Sequence, residues 1–197
     1  MICITGIGRS GTVYMSKCLQ ALGLDVGHEV LGKDGAVGWF YASDYKWNGY
    51  GPGRGSRRES RFDHVLHQIR HPLKAIASTT WMHQPQYRFI DKSLGGGLTD
   101  PQENMVQCAA EYWLRWNKMA EAVSEWSYRI EDIKNGSEQA QKLMAYAGVD
   151  DVYGEWPSVS TTTNHKRTNK PFTLDMVDQE LADQIVAYGE RFGYEFD

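Results

Sequence analysis

Cysteine is scarce: Cys3, Cys18 and Cys108 are the only three among 197 residues. They are widely spaced and form no C-x-x-C pair, which excludes a disulfide scaffold and removes the usual zinc signature. All three read as structural thiols in a reducing compartment. No apolar run approaches the length of about eighteen residues that suggests a membrane span. The N-terminus carries neither the charged region nor the apolar stretch of a secretion signal, so the expected location is cytoplasmic. A basic excess is missing too. The net charge is -4, which argues against a broad nucleic-acid surface and for a small, or polar and uncharged, partner. No internal repeat occurs at a regular period, which excludes a solenoid or propeller. The length fits one domain over 1–197.

Aromatic rings are plentiful by contrast, with 7 Trp and 11 Tyr. Each ring reads first as core or rim filling and second as a face for a sugar or purine. The most informative stretch is the first: Ile2, Cys3 and Ile4 suit a buried strand, and Gly6, Gly8 and Gly11 punctuate a turn into a helix over 10–22 that Gly23 ends. Glycines there allow successive N–H groups to form an anion nest at a helix N-terminus. The simpler reading is a tight turn with Ser10 as an ordinary N-cap. Gly6 and Gly11 have the spacing of a nucleotide-triphosphate loop, yet Thr12 stands where that loop has lysine. The cation lies inside the turn, as Arg9.

A short strand over 24–29 ends in His28 and Glu29. If strands and helices alternate in a parallel sheet, both emerge at the carboxyl edge beside the Arg9 loop, where either is a candidate general base. The aromatic run 38–42 reads as a strand or a helical turn. The glycine-rich stretch 44–62, with Arg54, Arg57, Arg58 and Arg61, reads as a solvated loop or as a flap over an anionic cofactor. Helical spacing would put His64, His67 and His71 on one face as a metal site, but Pro72 and the β-branched neighbours favour a strand, which separates them. No metal is expected. Pro72 then opens a helix to about residue 82. Arg70 and Ser78 there are either a guanidinium and hydroxyl for a second phosphate or a surface arginine and an ordinary helix serine.

Residues 83–102, with three successive glycines, read as a long loop covering an acceptor site. Periodic apolar residues predict helices over 104–126, 137–146 and 173–188, the last capped by Thr173, and 150–163 reads as turns. The fold class that follows is α/β, a three-layer α/β/α sandwich with a mainly parallel central sheet.

Arg9-Ser10-Gly11-Thr12 resembles the 5′-phosphosulfate loop of sulfotransferases that use 3′-phosphoadenosine 5′-phosphosulfate (PAPS). Arg70, Pro72 and Ser78 match that family's 3′-phosphate motif at each offset. The segment 128–133 is similar to its Arg-Tyr-Glu-Asp-Leu strand, and 172–195 to the closing helix and Gly-Tyr ending of bacterial members. The resemblance implies a P-loop-like fold and sulfuryl transfer from PAPS to a hydroxyl or amine of a small-molecule or glycan acceptor, without a metal. It further implies that Gly8, Ser10, Gly11 and Thr12 bind the 5′-phosphate and sulfonate, and that Arg9 neutralises the leaving oxygen. Arg70 and Ser78 would hold the 3′-phosphate retained in the product, 3′-phosphoadenosine 5′-phosphate (PAP). The family's Lys-Thr-His segment is absent, but other branches use a Glu soon after the first helix, similar in placement to Glu29, and the resemblance implies that Glu29 or His28 takes the acceptor proton. Its late Arg-Lys-Gly motif is also absent, and Lys166 and Arg167 occupy a comparable late position. The rival readings are a P-loop nucleotide or small-molecule kinase and a catalytically silent nucleotide-binding module.

Overall fold

A strand whose neighbours cover both faces has no need of polar alternation, and the N-terminal strand β1 (Ile2–Gly6) is buried at every position. The computed structural model describes residues 1–47, 56–149, 156–159 and 170–196. From β1 the chain passes through α1 (Thr12–Ala21), β2 (Val26–His28) and β3 (Gly35–Val37) to a 3-10 turn over Trp39–Ala42. It continues with α2 (Arg57–Ser60), β4 (His64–Ile69), α3 (Pro72–Thr79) and α4 (Gln84–Ser93). The last elements are α5 (Met105–Ala122), β5 (Trp126–Arg129), α6 (Glu138–Tyr146) and α7 (Gln179–Glu190). The sheet has five strands in the order β2-β3-β1-β4-β5, every pairing parallel. Ile2 faces His64 and Gly6 faces Gln68 across the central pair.

The two sides of the sheet have separate cores. Ile2, Ile4 and Leu66 pack with Met15, Cys18 and Leu19 of α1 and with Leu143 and Met144 of α6. Cys3, Ile7 and Ile69 pack on the other side with residues of α3, α4, α5 and α7. This is the α/β three-layer sandwich expected from the sequence. The chain leaves β1 toward one face and leaves the adjacent β4 toward the other. Such a switch between neighbouring parallel strands opens a crevice at their carboxyl ends.

Local chemistry moves several boundaries from their expected places. The strand β3 was not expected: its three residues carry no alternation, and pairing on both sides makes them a strand. Residues 38–42 resolve as the 3-10 turn. The stretch 83–102 is a loop only in its second half, because Tyr87 and Ile90 bury one face of α4 before the glycines begin. The long helix stops at Ala122, and Trp126, where it was expected to end, instead opens β5 and stacks on Tyr128. Thr173 precedes a separate 3-10 turn, and the α7 cap is Asp178, whose side chain accepts from Leu181 N. Within 44–62, Ser56 and Glu59 form a capping box, and Arg57 pairs with Asp44. Arg54 and most of 150–163 lie outside the described residues.

Cys3, Cys18 and Cys108 are free and buried. Burial raises all three thiols, Cys108 to about 12, so they remain protonated and inert. The strand reading of the histidine stretch holds. His67 is fully buried on the α5 side, its Nδ1 3.0 Å from Ser127 Oγ and its Nε2 3.0 Å from Asn117 Oδ1. Asn117 Nδ2 donates to Trp113 O, which leaves Oδ1 to accept from Nε2–H. Burial lowers the His67 pKa from 6.5 to about 4.

Between those two values the unfolded chain binds the proton that the folded chain refuses, so stability present above 6.5 is lost as pH falls toward 4. Urea unfolding is expected to find the wild type about 2 kcal/mol less stable at pH 5 than at pH 7 through this group alone. The His67→Gln variant, which lacks the titrating ring, should lose correspondingly less over the same range; equal losses would remove His67 as the source.

Candidate functional site

The loop at the end of β1 begins where two strands come unusually close. A Cβ on Gly6 would lie 2.2 Å from the Gln68 carbonyl oxygen of β4, so only glycine fits. The backbone then turns through Arg9 at φ 73 and Gly11 at φ 93, both left-handed. Gly11, not Ser10, occupies the N-cap of α1, and among the described residues no side chain caps this helix. Its first-turn N–H groups are therefore open to an external acceptor, at the positive end of the helix dipole. Ser10 is fully buried and its Oγ has no partner among the described residues. A buried hydroxyl left in that state costs free energy unless something completes it. Gly8 N donates to the Tyr112 hydroxyl at 2.9 Å.

Three cationic or polar side chains separated in sequence meet at this loop. Arg9 Nε donates to Ser78 Oγ at 3.2 Å, from the first glycine loop to the second turn of α3. Arg70, the residue after β4, donates from Nη1 to the Arg9 carbonyl at 2.9 Å. No carboxylate pairs with Arg70 among the described residues. Arg9 and Arg70 bring two cationic residues to this loop, which favours an anion there. Arg9, Arg70 and Ser78 are thus brought together.

The candidate bases stand on the neighbouring strand end. His28 Nε2 is 3.1 Å from Thr12 Oγ1, which ties the end of β2 to the first turn of α1. Glu29 follows with φ 56, a left-handed turn stabilised by its N–H donating to Val37 O. Both are half-buried. Burial pushes the Tyr112 phenol well above its usual range, with the Tyr87 and Glu29 charges adding to the effect. Lys166 and Arg167 lie outside the described residues.

Three site residues had not been singled out from the sequence. Tyr112 was passed over as one more aromatic of an amphipathic helix, although a buried phenol needs a partner for its hydroxyl. Gln68, a fully buried amide in a central strand, donates to the Ser10 carbonyl at 2.8 Å, and Tyr128 donates to Gln68 Oε1 at 3.0 Å. The signal available was Gln68 itself, a polar side chain in an apolar strand.

The segment 83–102 is tied down on its inner side. Arg115 donates to the carbonyls of Leu94 and Gly96, and Glu111 accepts from Thr99 N and Oγ1. Between α4 and residues 98–102 lies a cavity of about 330 Å³ lined by Tyr87, Arg88, Asp91, Thr99 and Asp100 among others. Tyr87 also packs edge-on against Tyr112, so two rings separate the cavity from Gly8.

Among the described residues no group of three or more His, Cys, Asp or Glu is placed to hold a metal ion, and no helix is long and apolar enough to cross a membrane. No protein-family model matches the sequence, and no curated protein matches it.

Proposed function

We propose that this protein is a sulfotransferase that moves a sulfuryl group from PAPS to a hydroxyl or amine of a small-molecule or glycan acceptor. One observation carries the reading: an uncapped α1 N-terminus at which Arg9, Arg70 and Ser78, drawn from two separate motifs, converge. A nucleotide with phosphates at both its 5′ and 3′ positions has charge for both groups of residues. The unpartnered Ser10 hydroxyl fits the same ligand, since a phosphate or sulfonate oxygen would accept its proton.

The donor supplies a sulfuryl group on a phosphate whose bridging S–O bond breaks as the acceptor attacks sulfur. Negative charge grows on the phosphate side, and the chain's task is mainly positioning and charge stabilisation. The N–H groups of Gly11 and Thr12 and the hydroxyls of Ser10 and Thr12 would hold the 5′-phosphate and sulfonate. Gly8 N is already engaged by Tyr112, so its part is to fix the loop's shape or to exchange that partner for the anion. The Arg9 guanidinium, anchored by Ser78, would neutralise the leaving oxygen, and Arg70 would meet the 3′-phosphate. Glu29, or His28 through the Thr12 hydroxyl, would take the acceptor proton.

Sulfur-labelled PAPS incubated with a panel of hydroxyl and amine acceptors tests the reading. Acceptor-dependent release of PAP with label on the acceptor supports it, and Glu29→Gln should slow that release about 10²-fold or more if Glu29 is the base. Magnesium-dependent turnover of ATP, with PAPS inert, would replace it with the kinase reading. The cytoplasmic assignment belongs to the same proposal.

A further inference from the structure

Gln68 is buried at the middle of the sheet with both ends of its amide in use. Its Oε1 accepts from the Tyr128 hydroxyl at 3.0 Å, and its Nε2 donates to the Ser10 carbonyl at 2.8 Å. Tyr128 on β5 is itself only 3% exposed, and burial holds its phenol well above the usual range, so its hydroxyl stays a donor. A phenolic donor at Oε1 decides which end of the amide faces the loop. Two residues further on, just past the end of β4, Arg70 takes the Arg9 carbonyl as Gln68 takes that of Ser10. Gln68 near the end of β4 and Arg70 just beyond it thus set two successive peptide planes of the loop.

A trans peptide carries its C=O and N–H in opposite directions. With the Ser10 oxygen turned onto Gln68, the Gly11 N–H is turned away from it, at the mouth of the uncapped helix. The amide also touches the peptide that it orients: Gln68 Nε2 lies 3.7 Å from where a Gly11 Cβ would be. An apolar side chain of similar volume would fill the same space without the cost of burying an amide.

We propose that Tyr128 and Gln68 form a relay that aims the Gly11 N–H at the bound anion, which makes Gln68 a positioning residue of the nest. The proposal rests on the reading of this loop as the donor's phosphate seat. It deepens that reading by naming what holds the nest in its binding shape before the nucleotide arrives.

The test uses the full chain as wild type, Gln68→Met, Tyr128→Phe and the double variant. It has two readouts: the amide nitrogen-proton cross-peak of Gly11 without ligand, and PAP affinity by calorimetry. Gln68→Met is expected to move the Gly11 cross-peak more than those of mid-α1 residues and to weaken PAP about tenfold, as for loss of a buried hydrogen bond. Tyr128→Phe should do the same to a smaller degree. The double variant should bind no more weakly than Gln68→Met, because Tyr128 acts through Gln68. An unmoved Gly11 cross-peak with unchanged PAP affinity would overturn the relay, and so would fully additive losses. Should Gln68→Met fail to fold, Tyr128→Phe decides on the same two readouts. Absence of PAP binding by the wild type would instead overturn the donor reading, while the Gly11 cross-peak still judges the relay.

Discussion

Arg9→Gly should lower sulfuryl transfer by about 10²- to 10³-fold, the range seen when one preorganised charge-stabilising donor is removed, while the melting temperature changes little. The expectation joins two properties of a single position. Arg9 sits at φ 73, where a side chain with a Cβ is strained by about 1 kcal/mol or more and glycine is not. Glycine therefore relieves the backbone while it costs chain entropy in the unfolded state, and the two effects nearly cancel. What goes is the guanidinium on Ser78 Oγ. A residue kept in a strained conformation for the sake of its charge is a sign of function. A large fall in melting temperature with unchanged turnover would make Arg9 a structural residue and defeat this account of it.

The second large effect is on stability. Gly6→Ala should destabilise the protein by about 3 kcal/mol or more, the size expected when an overpacked contact cannot relax. The added methyl would meet the Gln68 carbonyl oxygen at 2.2 Å. That oxygen belongs to the strand paired with β1, so neither side can give way without opening the centre of the sheet. Gly8→Ala makes the contrast within the same loop. Its nearest neighbours would be the Tyr112 hydroxyl at 3.3 Å and Met82 side-chain atoms at 3.5 Å, which can shift by a few tenths of an ångström. Urea denaturation of both variants checks the pair, and similar losses for the two would contradict the steric argument.

The parts of the fold legible in the sequence were those in which one segment carries its own signal. A continuous buried run followed by glycines gave β1 and its loop, and Pro72 at the start of α3 marked a helix that begins there. The strand character of 64–69 followed from its β-branched residues and the proline beyond. What was not legible depends on partners. The strand β3 is three residues with no pattern of their own, defined by β1 and β2 on either side. The helix α4 was hidden by the glycines that follow it, although Tyr87, Ile90 and Leu94 already have helical spacing. Val123 and Trp126 kept the apolar period going past the point at which α5 ends, because period alone does not register a change of element.

The site divides in the same way. Residue types at fixed offsets suggested Arg9 and Arg70 with Ser78, and the hydrogen bonds from Arg9 to Ser78 and from Arg70 to the Arg9 carbonyl put all three at one place. The partners of the loop were not readable. Tyr112 reaches Gly8 from 104 positions away, and Gln68 and Tyr128 act through contacts that only the parallel pairing of β1, β4 and β5 creates. The cap of α1 was open between Ser10 and an anion. Burial of Ser10 with its Oγ unpartnered, and the shift of the cap to Gly11, favour the anion.

A loop and an Arg70 built, as proposed, for a nucleotide carrying a 3′-phosphate would tell PAP from ATP. Calorimetric titration of the wild type and Arg70→Ala with PAP, and separately with ATP and magnesium, tests it most directly. PAP should bind the wild type much more tightly than ATP, and Arg70→Ala should cost about 2 kcal/mol of PAP affinity, as for a lost charge-assisted contact, with little effect on ATP. ATP binding as tightly as PAP, or an Arg70→Ala variant that binds PAP as the wild type does, would contradict it.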